Sequence, residues 1–327
     1  MSSSIPVSSN LMYSHSFKTN FLVIGFNRSD LLEDSLNRLQ NFGKSNIWVS
    51  IDGPRPGNTR DQDENRKIKK ILEKYSIPIN QCQISSLNLG CRNGVIKAIT
   101  WFFEHNDSGI ILEDDIEVDD SYLFCMQYIL EKFHDNPDVF SISSHSELAG
   151  SYPLRQANEL VSMPVCRVWG WAGWRRSWLK HLEILYLTQS YNLRQIYSLI
   201  PKTHRTFDAA LRIYQCKNNV FDTWDYEWNL SHLLCQASSI TPCNNFCLNH
   251  GFGDNATHTL DSSGCPWSTI NSFDSSALNS SIFSISNAAT DEINAIVSKC
   301  GFPISQDLMK ENIKLYKHQI KSRLMNL

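Results

Sequence analysis

The chain has 327 residues, 42% hydrophobic and 19% charged, with a formal net charge of −3. That length buries a sizeable core, and the composition excludes a largely disordered chain. The near-balanced charge excludes a general pull toward nucleic acid or an anionic membrane, so an anionic ligand needs a local site.

Residues 1–19 form a polar, Ser-rich tail without the basic start, apolar stretch and cleavage site of a signal peptide. No apolar run reaches the roughly 18–20 residues that span a bilayer. The ten cysteines are scattered and predict reduced thiols. Cys243 and Cys247 lack the second Cys/His pair that a zinc site needs. A cytoplasmic protein is expected, with peripheral contact at the inner face of the membrane as its nearest approach to lipid.

The first predicted strand is Phe21–Phe26, an apolar run broken by Asn27-Arg28-Ser29-Asp30. A helix follows, with Leu31, Leu32, Leu36 and Leu39 at helical spacing. A second strand, Ile47–Ile51, runs into Asp52-Gly53-Pro54, where Gly and Pro force a loop. Residues 60–74 read as a helix and Cys82–Ser85 as a third strand. After the loop Asn88–Gly94, a helix carries Ile96, Ile99, Trp101 and Phe103. The short strand Gly109–Leu112 ends directly in Glu113-Asp114-Asp115. Val139–Ser143 is another strand, and helical patterning dominates from Trp178 to Gln215. A further helix opens at Trp224–Leu230, with Asp222 or Thr223 as its N-cap. Residues 261–287 read as a polar linker, and residues 305–324 as an amphipathic helix.

This alternation predicts an α/β domain over residues 20–260, with a mostly parallel central sheet and helices on both faces. Residues 261–327 form a linker and C-terminal helical extension. In such sheets ligands sit beyond the carboxyl ends of the strands. Asn27, Arg28, Asp52 and Glu113–Asp115 all fall at strand ends and are expected to converge on one crevice.

Three adjacent carboxylates repel one another, and a divalent cation removes that penalty. Oxygen-rich sites favour Mg²⁺ or Mn²⁺. The plain alternative is a solvated acidic turn, to which Asp119 and Asp120 would add.

The strand followed by Glu113-Asp114-Asp115 and Ile116-Glu117-Val118 resembles the metal motif of the GT-A-fold glycosyltransferases. The similarity is to the branch that contains the Golgi β-1,2-N-acetylglucosaminyltransferase. Further pieces resemble that family in the same chain order: Phe26-Asn27-Arg28-Ser29, Val49-Ser50-Ile51-Asp52, Trp169-Gly170-Trp171 and Trp224-Asp225-Tyr226-Glu227-Trp228. The resemblance implies a single nucleotide-diphospho-sugar transferase domain and Mn²⁺ or Mg²⁺ as cofactor. It implies an inverting transfer from a nucleoside-diphosphate donor, a UDP-sugar, to a hydroxyl of a glycan or lipid-linked acceptor in polysaccharide assembly.

Carried over by position, the resemblance makes Asp115 a metal ligand, brings Asp114 to the ribose and Glu113 to the donor sugar, and sets Asp52 against the uracil. Arg28 and Asn27 then meet the nucleotide. The general base is Asp225 or Glu227, because this chain separates the two acids by Tyr226. Gly251 and His258 resemble the loop that closes over the diphosphate, with His258 or His250 as a further ligand. Trp169 and Trp171 either stack a sugar face or pack the core. Arg92 either touches phosphate or points to solvent. A sugar nucleotidyltransferase and a non-catalytic nucleotide-sugar-binding protein are the competing readings. The first lacks its usual Gly-rich basic loop here, and the intact acids count against the second. An Asp115 carboxylate buried against an arginine would undercut the enzyme assignment altogether.

Overall fold

The computed structural model describes residues 19–42, 45–146, 159–251, 270–274 and 285–287. His258, the expected C-terminal helix and the N-terminal tail through residue 18 lie outside the described residues. In chain order the elements are β1 (Thr19–Gly25), α1 (Ser29–Asn41), β2 (Ser45–Ile51), α2 (Thr59–Lys74), β3 (Cys82–Ile84), α3 (Gly90–His105), β4 (Ser108–Glu113), β5 (Ile116–Val118) and α4 (Asp120–Lys132). They continue with β6 (Val139–Ser143), β7 (Leu160–Met163), β8 (Trp171–Trp174), α5 (Arg175–Thr188), α6 (Leu193–Leu199), α7 (Phe207–Lys217), α8 (Asp225–Cys235), β9 (Ser238–Pro242), β10 (Cys247–Asn249) and β11 (Ile285–Asn287).

A nine-stranded sheet has the order β11-β7-β9-β6-β8-β4-β1-β2-β3, and β10 pairs with β5 in a separate small ribbon. Strands β3, β2, β1 and β4 are mutually parallel. β8 runs antiparallel to both its neighbours, β4 and β6. The α/β expectation of a mostly parallel sheet flanked by helices therefore holds, with β8, β7 and β11 reversed.

Side-chain alternation along the strands explains why helices cover both faces. Phe21, Val23, Val49 and Leu112 join Leu32 and Leu36 of α1 and Met126 and Ile129 of α4 in one core layer. Leu22, Ile24, Trp48 and Ile111 face the other way, onto Ala98, Ile99 and Phe102 of α3, Trp178 of α5 and Trp228 of α8. A third cluster joins α6 and α7 to Tyr226 and Leu230 of α8.

Several elements differ from the sequence expectation. The helical stretch after Trp178 is three helices, because Asn192 forms a capping box that starts α6 and extended backbone at Ile200 and Pro201 stops it. The tryptophan-rich segment supplies β8, whose four residues are too few for a periodic signal. Neither Asp222 nor Thr223 is the N-cap of α8; Trp224 is, and it donates no side-chain cap. Within the stretch read as a linker, Ile285–Asn287 pairs with β7 and Phe273 is buried against Tyr122 and Phe246.

Candidate active site

β1, β2 and β4 end side by side, and the loops beyond them border a cavity of about 740 Å³, a size that suits a small organic ligand. Arg28, Asp52, Glu113, Asp114, Asp115 and Asp225 all line it. Trp169 and Gly251 border it as well. The expected convergence on one crevice holds for Arg28, Asp52 and Glu113–Asp115 but not for Asn27, and Asp225 of α8 joins them there.

The β4 wall carries the strongest electrostatic conflict. The Asp114 amide donates to Ile24 O at 2.8 Å, which ties the turn after β4 to β1. The His250 amide donates to Asp115 O at 2.8 Å, closing the β5–β10 ribbon over the turn. Burial, then Asp115 and Asp114, push the Glu113 carboxyl up to about 8. Burial raises Asp114 to about 6, with Arg28 opposing the rise. Arg28 Nη1 donates to Asp115 Oδ2 at 2.7 Å, and Nη2 donates to Asp114 Oδ1. Burial disfavours the guanidinium charge, yet Asp114 and Asp115 outweigh it and raise the Arg28 pKa.

The arginine pairing of Asp115 that would undercut the enzyme assignment is thus present. It is incomplete. Among the described residues, Asp114 Oδ2 and Asp115 Oδ1 are buried and have no partner at hydrogen-bond geometry, with the Phe26 amide close to the Asp114 carboxylate. A buried carboxylate oxygen without a partner is costly, and a pair kept for stability alone would satisfy both. One guanidinium faces three carboxylates and leaves the corner short of positive charge.

No three His, Cys, Asp or Glu side chains form a ready-made cation cage among the described residues. The residues fit a different kind of site. Mg²⁺ and similar ions are commonly held by one or two carboxylates plus substrate phosphates. Asp115 Oδ1 and Asp114 Oδ2 are the oxygens that offer such a ligand set. Gly251 makes room for the Asp115 carboxylate, since a Cβ there would run into Oδ2, the oxygen that Arg28 binds.

Asp52 occupies the end of β2 and does a structural task that its sequence position did not disclose. Its oxygens accept from the amides of Gly53 at 2.8 Å, Leu89 at 2.9 Å and Gly90 at 3.1 Å, and from Asn88 Nδ2 at 3.0 Å. It therefore caps α3 from outside that helix. Burial raises its pKa while those amides oppose the rise.

Three expected donor contacts need correction. Asn27 does not line the cavity; its Nδ2 donates to Asp61 Oδ1 at 2.8 Å. Asp61 in turn binds Arg55 through Nε at 2.6 Å, and Arg55 is the side chain that reaches the cavity wall. Arg92 does not border the cavity; its Nε and Nη2 bind both oxygens of Glu227, at 2.6 and 3.0 Å. That same pairing holds Glu227 away from the cavity, which it does not border. Trp171 is buried in the tryptophan cluster with Trp224, Trp228 and Trp178 and does not border the cavity. Trp169 does, lying 4.7 Å from the ring of His145.

Asp225 sits in the first turn of α8 with Thr223 Oγ1 donating to its Oδ1 at 2.6 Å. Burial raises its pKa, and the Thr223 hydrogen bond opposes the rise. His250 binds Glu117 at 2.8 Å and does not border the cavity. Arg55, Asp222 and Thr223 border the cavity and were not read from the sequence. An Asn58 cap three residues before Asp61 was the available signal for the first.

No helix among the described residues is long and apolar enough to cross a membrane. No family model matches the chain, and no curated protein matches it in sequence. Among solved structures, it is similar to the mannose-1-phosphate geranyltransferase of Thermus thermophilus, at 10% identity over 69% of this chain and 73% of that one. The TM-score of 0.30 leaves that likeness without weight for activity, which has to be read from the cavity itself.

Proposed function

We propose that the chain is a glycosyltransferase of the GT-A type that moves a sugar from a nucleoside-diphosphate donor to a hydroxyl of a glycan or lipid-linked acceptor. The observation that carries this reading is the pair of buried carboxylate oxygens on Asp114 and Asp115 that lack hydrogen-bond partners, set in the same cavity as a separate, half-buried acid, Asp225. An under-neutralised acidic corner suits a diphosphate that arrives with its own Mn²⁺ or Mg²⁺. When bound, that ion supplies Lewis-acid stabilisation of charge on the departing diphosphate.

The protein's own groups have distinct tasks. Arg28 balances the charge of Asp114 and Asp115 and, at the cavity wall, lies within reach of an anionic ligand. Asp114 and Glu113 border the space where a ribose and a sugar would lie. Trp169 offers an aromatic face for the C–H side of a pyranose. Asp225, raised above the ordinary carboxylate range by burial, accepts the proton of the acceptor hydroxyl as that oxygen attacks. Attack opposite the leaving group inverts the anomeric centre. A cytoplasmic site of action in surface-polysaccharide assembly belongs to the same reading.

A thermal-shift panel of nucleotide sugars, with and without Mn²⁺, tests it, because a ligand that binds the native state raises stability. Stabilisation by a uridine nucleotide sugar that requires Mn²⁺, and is lost in Asp115→Ala, is the expected result. Consumption of a nucleoside triphosphate with a sugar phosphate would instead favour a nucleotidyltransferase. Binding without turnover of any donor would favour a binding protein.

A further inference from the structure

We propose that Asp222, Arg92 and Glu227 form a clasp between α3 and α8 that positions Asp225. This rests on the reading of Asp225 as the base.

The start of α8 has no side-chain cap of its own, because Trp224 stands at the N-cap. Within the first turn the Asp225 carboxylate takes up the amides of Asp225 and Tyr226, and the Glu227 amide donates to Trp224 O. The turn is also tied from outside to α3. The Asp222 carboxylate accepts from the amides of Cys91 and Arg92 at 2.9 and 2.8 Å, so a residue ahead of α8 caps α3. The Arg92 side chain returns the link by binding Glu227 with two parallel hydrogen bonds. Glu227 and Arg92 side chains are only 3% and 14% exposed. One exposed contact, through Asp222, and one buried contact, through Glu227, therefore join the same two helix starts in opposite directions.

Asp225 lies between the anchors, three residues after one and two before the other. Among these acids and Arg92, only Asp222 and Asp225 border the cavity; Arg92 and Glu227 sit behind it. On the opposite side Asp52 binds the amides of Leu89 and Gly90. The start of α3 is thus clamped between the β2 wall and the α8 wall. The clamp also accounts for Gly90, which has φ +78° and whose Cβ would lie 2.8 Å from Asp222 Oδ2. A turn of α8 by a small angle would re-aim Asp225, and a misplacement of about 1 Å costs roughly a hundredfold in rate.

A buried ion pair can also be mere scaffolding, and the variants are chosen to tell the two apart. Arg92→Met or Glu227→Met alone leaves a buried charge unpaired and lowers Tm; replacing both with Met removes the charges and restores it. For the double variant the clasp predicts a near-wild-type Tm, a kcat for transfer lowered by about thirtyfold or more, and a donor KM within about twofold. Its crystal structure is expected to show the Asp225 carboxylate moved off Thr223. Glu227→Gln keeps length and one acceptor oxygen, holds Tm close to wild type, and is expected to lose kcat to a smaller extent.

A double variant with wild-type kcat, or with Asp225 still seated on Thr223, overturns the clasp. If wild type transfers no sugar while the double variant displaces Asp225, the clasp stands and the glycosyltransferase reading falls.

Discussion

Both walls of the cavity are acidic, but they are finished differently. On the α8 wall the acids have partners: Asp225 accepts from Thr223, Glu227 is bound through both oxygens by Arg92, and Asp222 caps α3. On the β4 wall one arginine serves Asp114 and Asp115 and leaves one buried oxygen of each without a partner. Buried polar groups are normally satisfied, and two unpaired carboxylate oxygens side by side at a cavity wall leave negative charge there that a bound cation could take up. A finished set fixes geometry. The first wall is built to hold one acid still, and the second to receive charge.

The sharpest way to separate the walls is Asp225→Asn, which keeps shape and removes the base. Transfer is expected to fall by roughly 10²–10⁴-fold, while Mn²⁺-dependent nucleotide binding, followed by calorimetry, stays unchanged. Loss of binding together with turnover would place Asp225 on the receiving side and break the contrast.

Arg28→Met attacks the other wall. Removing one partner from buried charges costs about 3–5 kcal/mol, measured as a lowered midpoint in urea. Mn²⁺ with a nucleoside diphosphate is expected to recover much of that loss, whereas the same ligands would do nothing for a comparable defect at Arg92. Equal rescue at both positions would erase the distinction.

Gly251→Ala pushes a methyl group into Asp115 Oδ2. Overpacking of this kind costs about 1–3 kcal/mol. The variant is expected to lose the Mn²⁺-dependent part of nucleotide binding while still folding, as seen by circular dichroism.

The smallest effect is on pH dependence. Burial and the neighbouring Asp115 and Asp114 push the Glu113 carboxyl up to about 8 from its ordinary 4.5, so the folded state holds that proton more tightly than the unfolded chain. The associated stability is fully present below pH 4.5 and is lost as pH rises through about 8. Without divalent cation, Tm is expected to drift down across that window, and Mn²⁺ with a nucleoside diphosphate should flatten the drift. A Tm that rises over the same range would contradict the crowding of charge at the β4 wall.

Much of the scaffold was legible in the chain. The runs Phe21–Ile24, Ile47–Ile51 and Ile110–Leu112 alternate faces and are bounded by Gly, Pro or charged residues, so their strands and order of appearance followed from local chemistry. The acids at the ends of β2 and β4 could be placed at one edge because parallel strands end together. Short elements escaped. β8 and β7 have four residues each, and β10 has three, too few for a period to show.

What the sequence by itself determined is an α/β chain with acids gathered where strands end, because hydrophobic period and turn residues act over a few neighbours. Which acid is left unfinished and which is occupied was decided only by tertiary structure. Arg92 lies 135 positions from Glu227, and Arg28 lies 87 from Asp115. A charge at such separation carries no local mark of its partner; folding chooses it, by bringing helix starts and strand ends to one cavity where burial makes every unpaired charge costly.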